Sequence, residues 1–157
     1  MSTVVSETSK GEMLKVEFRR VIRASRERVF AAWTKPEEIL KWFGPGMIHA
    51  AEAEMDARAG GAYRLVMKGS ADGKDPERRM SVCGAYTAVI PNELICFTWR
   101  PTWNTEDESL VTVRLRDVEG GTELVLIHER IASEGSCSGY NQGWTSTLEK
   151  LEGYLQN

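Results

Sequence analysis

From Leu14 the chain alternates. Leu14, Val16, Phe18 and Ile22 fall on one side and Lys15, Glu17, Arg19 and Arg23 on the other, the period-two signature of a strand with one buried face. The period then lengthens. Ser25 is placed to cap a helix carrying Val29, Phe30 and Trp33. Thr34 to Glu37 reads as a capping box for a second short helix, with Pro36 in its first turn and Ile39, Leu40, Trp42 and Phe43 as its apolar positions. Gly44 and Pro45 stop it, one as a left-handed cap and the other as a breaker.

The middle of the chain returns to strand-like alternation. Residues 48–57 form an Ala-rich strand candidate, and Gly60-Gly61 turns the chain into Tyr63, Leu65 and Met67, alternating with Arg64, Val66 and Lys68. After the polar loop 69–77, a long strand runs from Arg79 to Ile90, and Pro91-Asn92 turns it into Leu94 to Arg100. Pairing Ile90 with Glu93 sets Tyr86 opposite Phe97 and Gly84 opposite Trp99, with Cys83 and Cys96 on the other face. A last hairpin, 110–116 with 122–130, turns at Gly120-Gly121, which predicts Val113 opposite His128 and Leu115 opposite Leu126. At the C-terminus the period changes again. Tyr140, Trp144, Leu148, Leu151 and Leu155 make one stripe on a helix of about 18 residues.

This order predicts an α+β fold of helix-grip form: a curved antiparallel sheet of six or seven strands wrapped around a long C-terminal helix, with two short helices after the first strand. Residues 1–12 read as a disordered leader and 13–157 as one domain. Five Trp in 157 residues exceed the about two of an average chain, and large rings suit the space between a curled sheet and a helix. The same geometry can instead leave an apolar cavity, and the sequence alone leaves both arrangements open.

Charge and cysteine content narrow the class. A net charge of −3 with interspersed signs argues against a nucleic-acid binder. The longest aliphatic run, Leu124 to Ile127, is far below the about 20 residues of a membrane helix, so no membrane insertion is expected. With no apolar signal segment and three scattered cysteines, the expected location is the cytoplasm. His49 and His128 are the two histidines, and neither has ligand spacing, so no metal and no cofactor are expected. Residues 69–74 are one residue short of a phosphate loop, and no nucleophile elbow is present. His128 shares an inward parity with Leu124 and Leu126; it is either a hydrogen-bonded core histidine or a base, with Tyr86 as donor. Arg130 sits near the same sheet end, and His49 follows the Gly44-Pro45-Gly46 turn on the surface or at a cavity mouth.

Several strings have a known pattern. Val29-Phe30-x-x-Trp33-Thr34-x-Pro36-Glu37 with Trp42-Phe43-Gly44-Pro45, Met55-Asp56-x-Arg58-x-Gly60-Gly61-x-Tyr63, Gly84-x-Tyr86 followed by Phe97-Thr98-Trp99, Gly120-Gly121-Thr122-x-Leu124, and Gly143-Trp144 with Leu148 and Leu151 occur in order over residues 14–155. The chain closely resembles the proteins related to the activator of the heat-shock-protein-90 ATPase. The resemblance implies the START or Bet v I type of helix-grip fold, with a cavity between sheet and helix. It covers only the C-terminal domain of the eukaryotic co-chaperones; with residues 1–13 read as a short leader, their chaperone-binding domain is not expected.

Three functions follow as expectations. The first is a non-enzymatic domain binding an apolar, aromatic or lipid-like small molecule, with Phe18, Trp33, Phe43, Tyr63, Met67, Tyr86, Phe97, Trp99, Val113, Leu126, His128, Trp144 and Leu148 as cavity candidates. The second is a chaperone partner or stress-response interaction protein using Trp103 among Glu106, Asp107 and Glu108. The third is a cyclase or hydrolase with His128 and Tyr86 as the catalytic candidates.

Overall fold

The structure, a computed structural model, describes residues 14–103 and 108–156; the expected leader and the acids Glu106 and Asp107 lie outside the described residues. Strand β1 (Leu14–Ile22) leads into α1 (Arg26–Thr34) and α2 (Pro36–Ile39). Six strands follow: β2 (His49–Met55), β3 (Ala62–Lys68), β4 (Arg79–Ile90), β5 (Leu94–Pro101), β6 (Ser109–Val118) and β7 (Gly121–Ile131). The long helix α3 (Glu134–Gln156) closes the order. The strands make one antiparallel sheet in the order β1-β7-β6-β5-β4-β3-β2, so the two-helix excursion carries the chain from one sheet edge to the other. Sheet and α3 meet in a single core, into which the helix buries Cys137, Tyr140, Trp144, Thr147, Leu148, Leu151 and Leu155. This is the helix-grip architecture.

Local chemistry sets the elements, with five departures from the sequence expectation. Ser25 caps α1 as expected, its hydroxyl accepting from the Arg28 amide. Thr34 does not cap α2: it is the last residue of α1, and its hydroxyl donates to the Phe30 carbonyl at 2.8 Å. Lys35 takes the N-cap position in an extended conformation, because the residue before a proline is pushed out of the helical region. Helix α2 also spans only four residues, so Leu40, Trp42 and Phe43 follow it in turns. Leu40 is exposed, but the Trp42 and Phe43 rings are buried: Trp42 donates its indole N–H to the Ala32 carbonyl at 3.0 Å and meets Trp33 at 4.9 Å.

Both late hairpins shift register. Ile90 pairs with Leu94 and not with Glu93. Proline cannot supply the positive φ that a two-residue hairpin turn needs at its first position, so Asn92 (φ 66°) takes the left-handed role in a three-residue turn. A bulge between Tyr86 and Ala88 then restores Tyr86 opposite Phe97. In the last hairpin Val113 faces Leu126 and Val111 faces His128, two residues from the expected register. The turn is Glu119-Gly120, and Gly121 belongs to β7, where a side chain would strike the Ile22 carbonyl of β1. A shift of two keeps every side chain on its expected face. Finally, α3 is 23 residues long, starting two turns before Tyr140, with Ser133 accepting from the Ser136 amide at 3.1 Å.

One charged residue shares the inward face of β1. Arg20 is buried, its Nε lies 3.3 Å from Glu152 of α3, and its guanidinium donates to the Arg19 carbonyl. Desolvation pulls its pKa down while Glu152 and Glu149 oppose that shift. Removing one partner strands the other, which costs about 3–5 kcal/mol in a fully buried pair. Glu152 is 29% exposed, so Glu152→Ala is expected to cost about 2 kcal/mol in urea denaturation. An unchanged midpoint would show that water already solvates the Arg20 charge.

Candidate ligand-binding cavity

Between the sheet and the N-terminal half of α3 lies a cavity of about 460 Å³. Met67, Met80 and Trp99 form its sheet wall, and Phe43, Pro45 and Ile48 its wall from the segment after α2. The helix contributes Gly135, Gly139 and Gly143, spaced four residues apart and so on one face, beside Tyr140, Trp144 and Thr147. Those glycines explain why the space stays open. A Cβ at Gly139 would meet nothing within 4 Å, and one at Gly143 only the Pro45 ring at 3.9 Å. Each glycine costs a helix about 1 kcal/mol relative to alanine, so this face is left bare at the expense of helix stability.

The segment 44–48 is held in place from both sides. Gly44 is left-handed (φ 122°), and a side chain there would sit 2.5 Å from the Ile48 carbonyl. The Gly46 amide donates to Ser146 at 2.7 Å, and Lys150 donates to the Ile48 carbonyl at 2.9 Å. Burial lowers the Lys150 pKa. The wall formed by Pro45 and Ile48 is therefore fastened to α3 by polar contacts.

His128 packs behind the lining residues Trp99, Tyr140 and Trp144. Trp144 donates its indole N–H to Nδ1 at 3.0 Å, and because indole only donates, Nδ1 carries the lone pair and Nε2 the proton. Nε2–H then donates to the Ser109 hydroxyl at 2.7 Å. Tyr140 packs on the ring at 4.2 Å. The side chain is fully buried, and desolvation pushes its pKa down to about 3. With both ring nitrogens engaged, the imidazole is a neutral core group that orients Trp144.

Of the sequence candidates, Phe43, Met67, Trp99 and Trp144 line the cavity. Tyr63, Tyr86 and Phe97 form a separate aromatic triangle with centroids 5.4–6.1 Å apart. Burial raises the pKa of both phenols. Phe18, Trp33, Val113, Leu126, His128 and Leu148 are packed in the surrounding core. Tyr86 and His128 are thus apart from the lining and in different clusters. Arg130 is exposed in a left-handed conformation, and His49 is exposed on β2. The lining residues that sequence reasoning missed include Met80, Arg78 and the three helix glycines. The glycines carried a readable signal, a four-residue period inside a helix; Arg78 carried none.

Among the described residues no group of three or more metal-ligating side chains converges. No described helix is long and apolar enough to cross a membrane. No curated protein matches the chain by sequence. Among solved structures, protein CV1439 from Chromobacterium violaceum superposes with a TM-score of 0.80 at 26% identity, over 91% of this chain and 97% of its own. The AHSA1 protein SPO3351 from Silicibacter pomeroyi gives 0.76 at 26% identity, over 90% and 97%. CalU16 from Micromonospora echinospora shares the fold at 22% identity, with a TM-score of 0.71 over 99% and 85%. The profile of the Activator of Hsp90 ATPase homolog 1-like proteins matches residues 23–156, nearly the whole helix-grip domain, and the chain belongs to that family.

Proposed function

We propose that this protein binds an apolar or aromatic small molecule in the cavity between the sheet and α3. The observation that carries the reading is the bare glycine face of the helix over a wall of Met67, Met80 and Trp99. A volume of about 460 Å³ falls within the roughly 300–1,000 Å³ of small-molecule sites. The neutral His128, hydrogen-bonded at both ring nitrogens, supports binding over catalysis, since no histidine or carboxylate stands among the described lining residues. A chaperone-partner role has the family name behind it. Its surface handle, Trp103, is 44% exposed yet also lines the cavity, so ligand binding accounts for that residue as well.

Filling the cavity from the helix tests the reading. Gly139→Phe places a ring where a Cβ meets open space, so the variant should fold at least as stably as the parent, helped by about 0.5 kcal/mol of helix propensity. Wild-type tryptophan fluorescence, titrated with flavonoids, fatty acids and polyketides, should change saturably with at least one class. The variant should bind that ligand at least about tenfold more weakly. An unaltered affinity in a well-folded Gly139→Phe protein, or no saturable change in the wild type, refutes the assignment.

A further inference from the structure

We propose that the ligand is an amphiphile with an anionic head, held at the cavity mouth by Arg78; this rests on the ligand-binding reading above. The described lining contains one charged side chain, Arg78, and no carboxylate. Arg78 is exposed while still lining the cavity, which places it at the rim, where the loop after β3 enters β4. Two charge pairs form nearby, Lys68 with Glu77 at 3.4 Å and Arg79 with Glu52 at 2.6 Å, and the loop's Asp72, Lys74 and Asp75 are not among the described lining residues. Arg78 has no ion-pair partner among the described residues. Lys150, the other cation close to the wall, is occupied by the Ile48 carbonyl.

The helix adds a second positive element to the lining. Gly135 and Ser136 lie in the first turn of α3 and line the cavity, so the positive end of the helix dipole borders it. Glu134 occupies that turn too, but it is not among the lining residues. Deeper in, the walls are Met, Trp, Phe and Ile, with the hydroxyls of Thr147 and Tyr140 between them. An apolar tail therefore suits the interior, and a carboxylate or phosphate monoester suits the guanidinium at the entrance, which offers planar paired donors to either group.

Calorimetric titration of the full chain at low salt with laurate, lauryl phosphate and lauryl alcohol separates head from tail. The anions should bind about five- to tenfold more tightly than the alcohol, the scale of a solvent-accessible charge pair. The larger of the two anion preferences identifies the headgroup. In Arg78→Gln the preference should collapse to about one, and in Arg78→Lys part of it should return for the point-charge contact. Equal binding of anions and alcohol by the wild type overturns this inference and leaves the apolar-ligand reading standing. A preference that survives in Arg78→Gln overturns it as well. Binding of none of the three by the wild type overturns this inference, and the apolar-ligand reading then stands or falls with the flavonoid and polyketide titrations.

Discussion

Replacing His128 with alanine is expected to destabilise the fold by about 3–5 kcal/mol, the cost of a large buried truncation plus stranded polar groups. The imidazole is fully buried, and its loss leaves the Trp144 indole N–H and the Ser109 hydroxyl without their partner. His128→Gln should recover part of this, because an amide can accept from Trp144 and donate to Ser109. The pH dependence gives the sharper test. The folded pKa is pushed down to about 3 by burial, against 6.5 in the unfolded chain. Below 6.5 the unfolded state therefore binds a proton that the folded state refuses. Stability from this group is complete above pH 6.5 and drains away as pH falls toward 3. Between pH 7 and pH 4 the loss is on the order of 3 kcal/mol. Other acid-sensitive groups contribute in parallel: the Tyr154 hydroxyl holds the Glu38 pKa down and Arg116 holds down that of Glu123. These are common to both proteins, so the difference between wild type and His128→Gln isolates the histidine. Urea denaturation at the two pH values measures it, and equal acid sensitivity of the two proteins would show that His128 protonates freely in the fold.

Gly84→Ala is expected to cost about 3 kcal/mol or more, through steric overlap and disturbed hydrogen bonds at Thr98. A methyl at this position of β4 would strike the Thr98 carbonyl and stand 2.6 Å from the Thr98 hydroxyl, which accepts from the Ala85 amide. The nearest of these atoms is backbone of β5, which leaves little to give way. Tyr63 is the reason the approach is so close: it sits opposite Gly84 across the β3–β4 pair, and its hydroxyl donates to that same Thr98 carbonyl at 2.6 Å. One glycine thus lets a tyrosine from β3 reach a backbone acceptor on β5. Tyr63→Phe alone should cost about 1–2 kcal/mol, and the double variant less than the sum, since both changes act on one carbonyl. Thermal and chemical denaturation of the four proteins completes the cycle. Strict additivity would disprove the shared site.

The two residues differ in how readable they were. The inward parity of His128 follows from its two-residue spacing to Leu126, and it survived a register error because that error was even. Its partners did not show, because Ser109 and Trp144 lie 19 and 16 residues away and meet it only across the sheet and helix. Gly84-x-Tyr86 was visible as a string, yet its use by Tyr63 depends on three strands lying side by side. Thr34 shows the opposite failure. A local capping pattern was present, but the hydroxyl bonded back to Phe30, since Lys35 before Pro36 had to leave the helix.

Alternation, turn chemistry and the Tyr140–Leu155 stripe are properties of neighbouring residues, so element order, strand faces and the helix-grip class were already contained in the one-dimensional pattern. Whether the space under α3 is filled or open was not. It depends on which residues from four separate elements converge on the glycine face, on a segment pinned by Ser146 and Lys150, and on where Trp144 is aimed by His128. Volume is a difference between what the walls enclose and what their side chains occupy, and only the folded chain sets both.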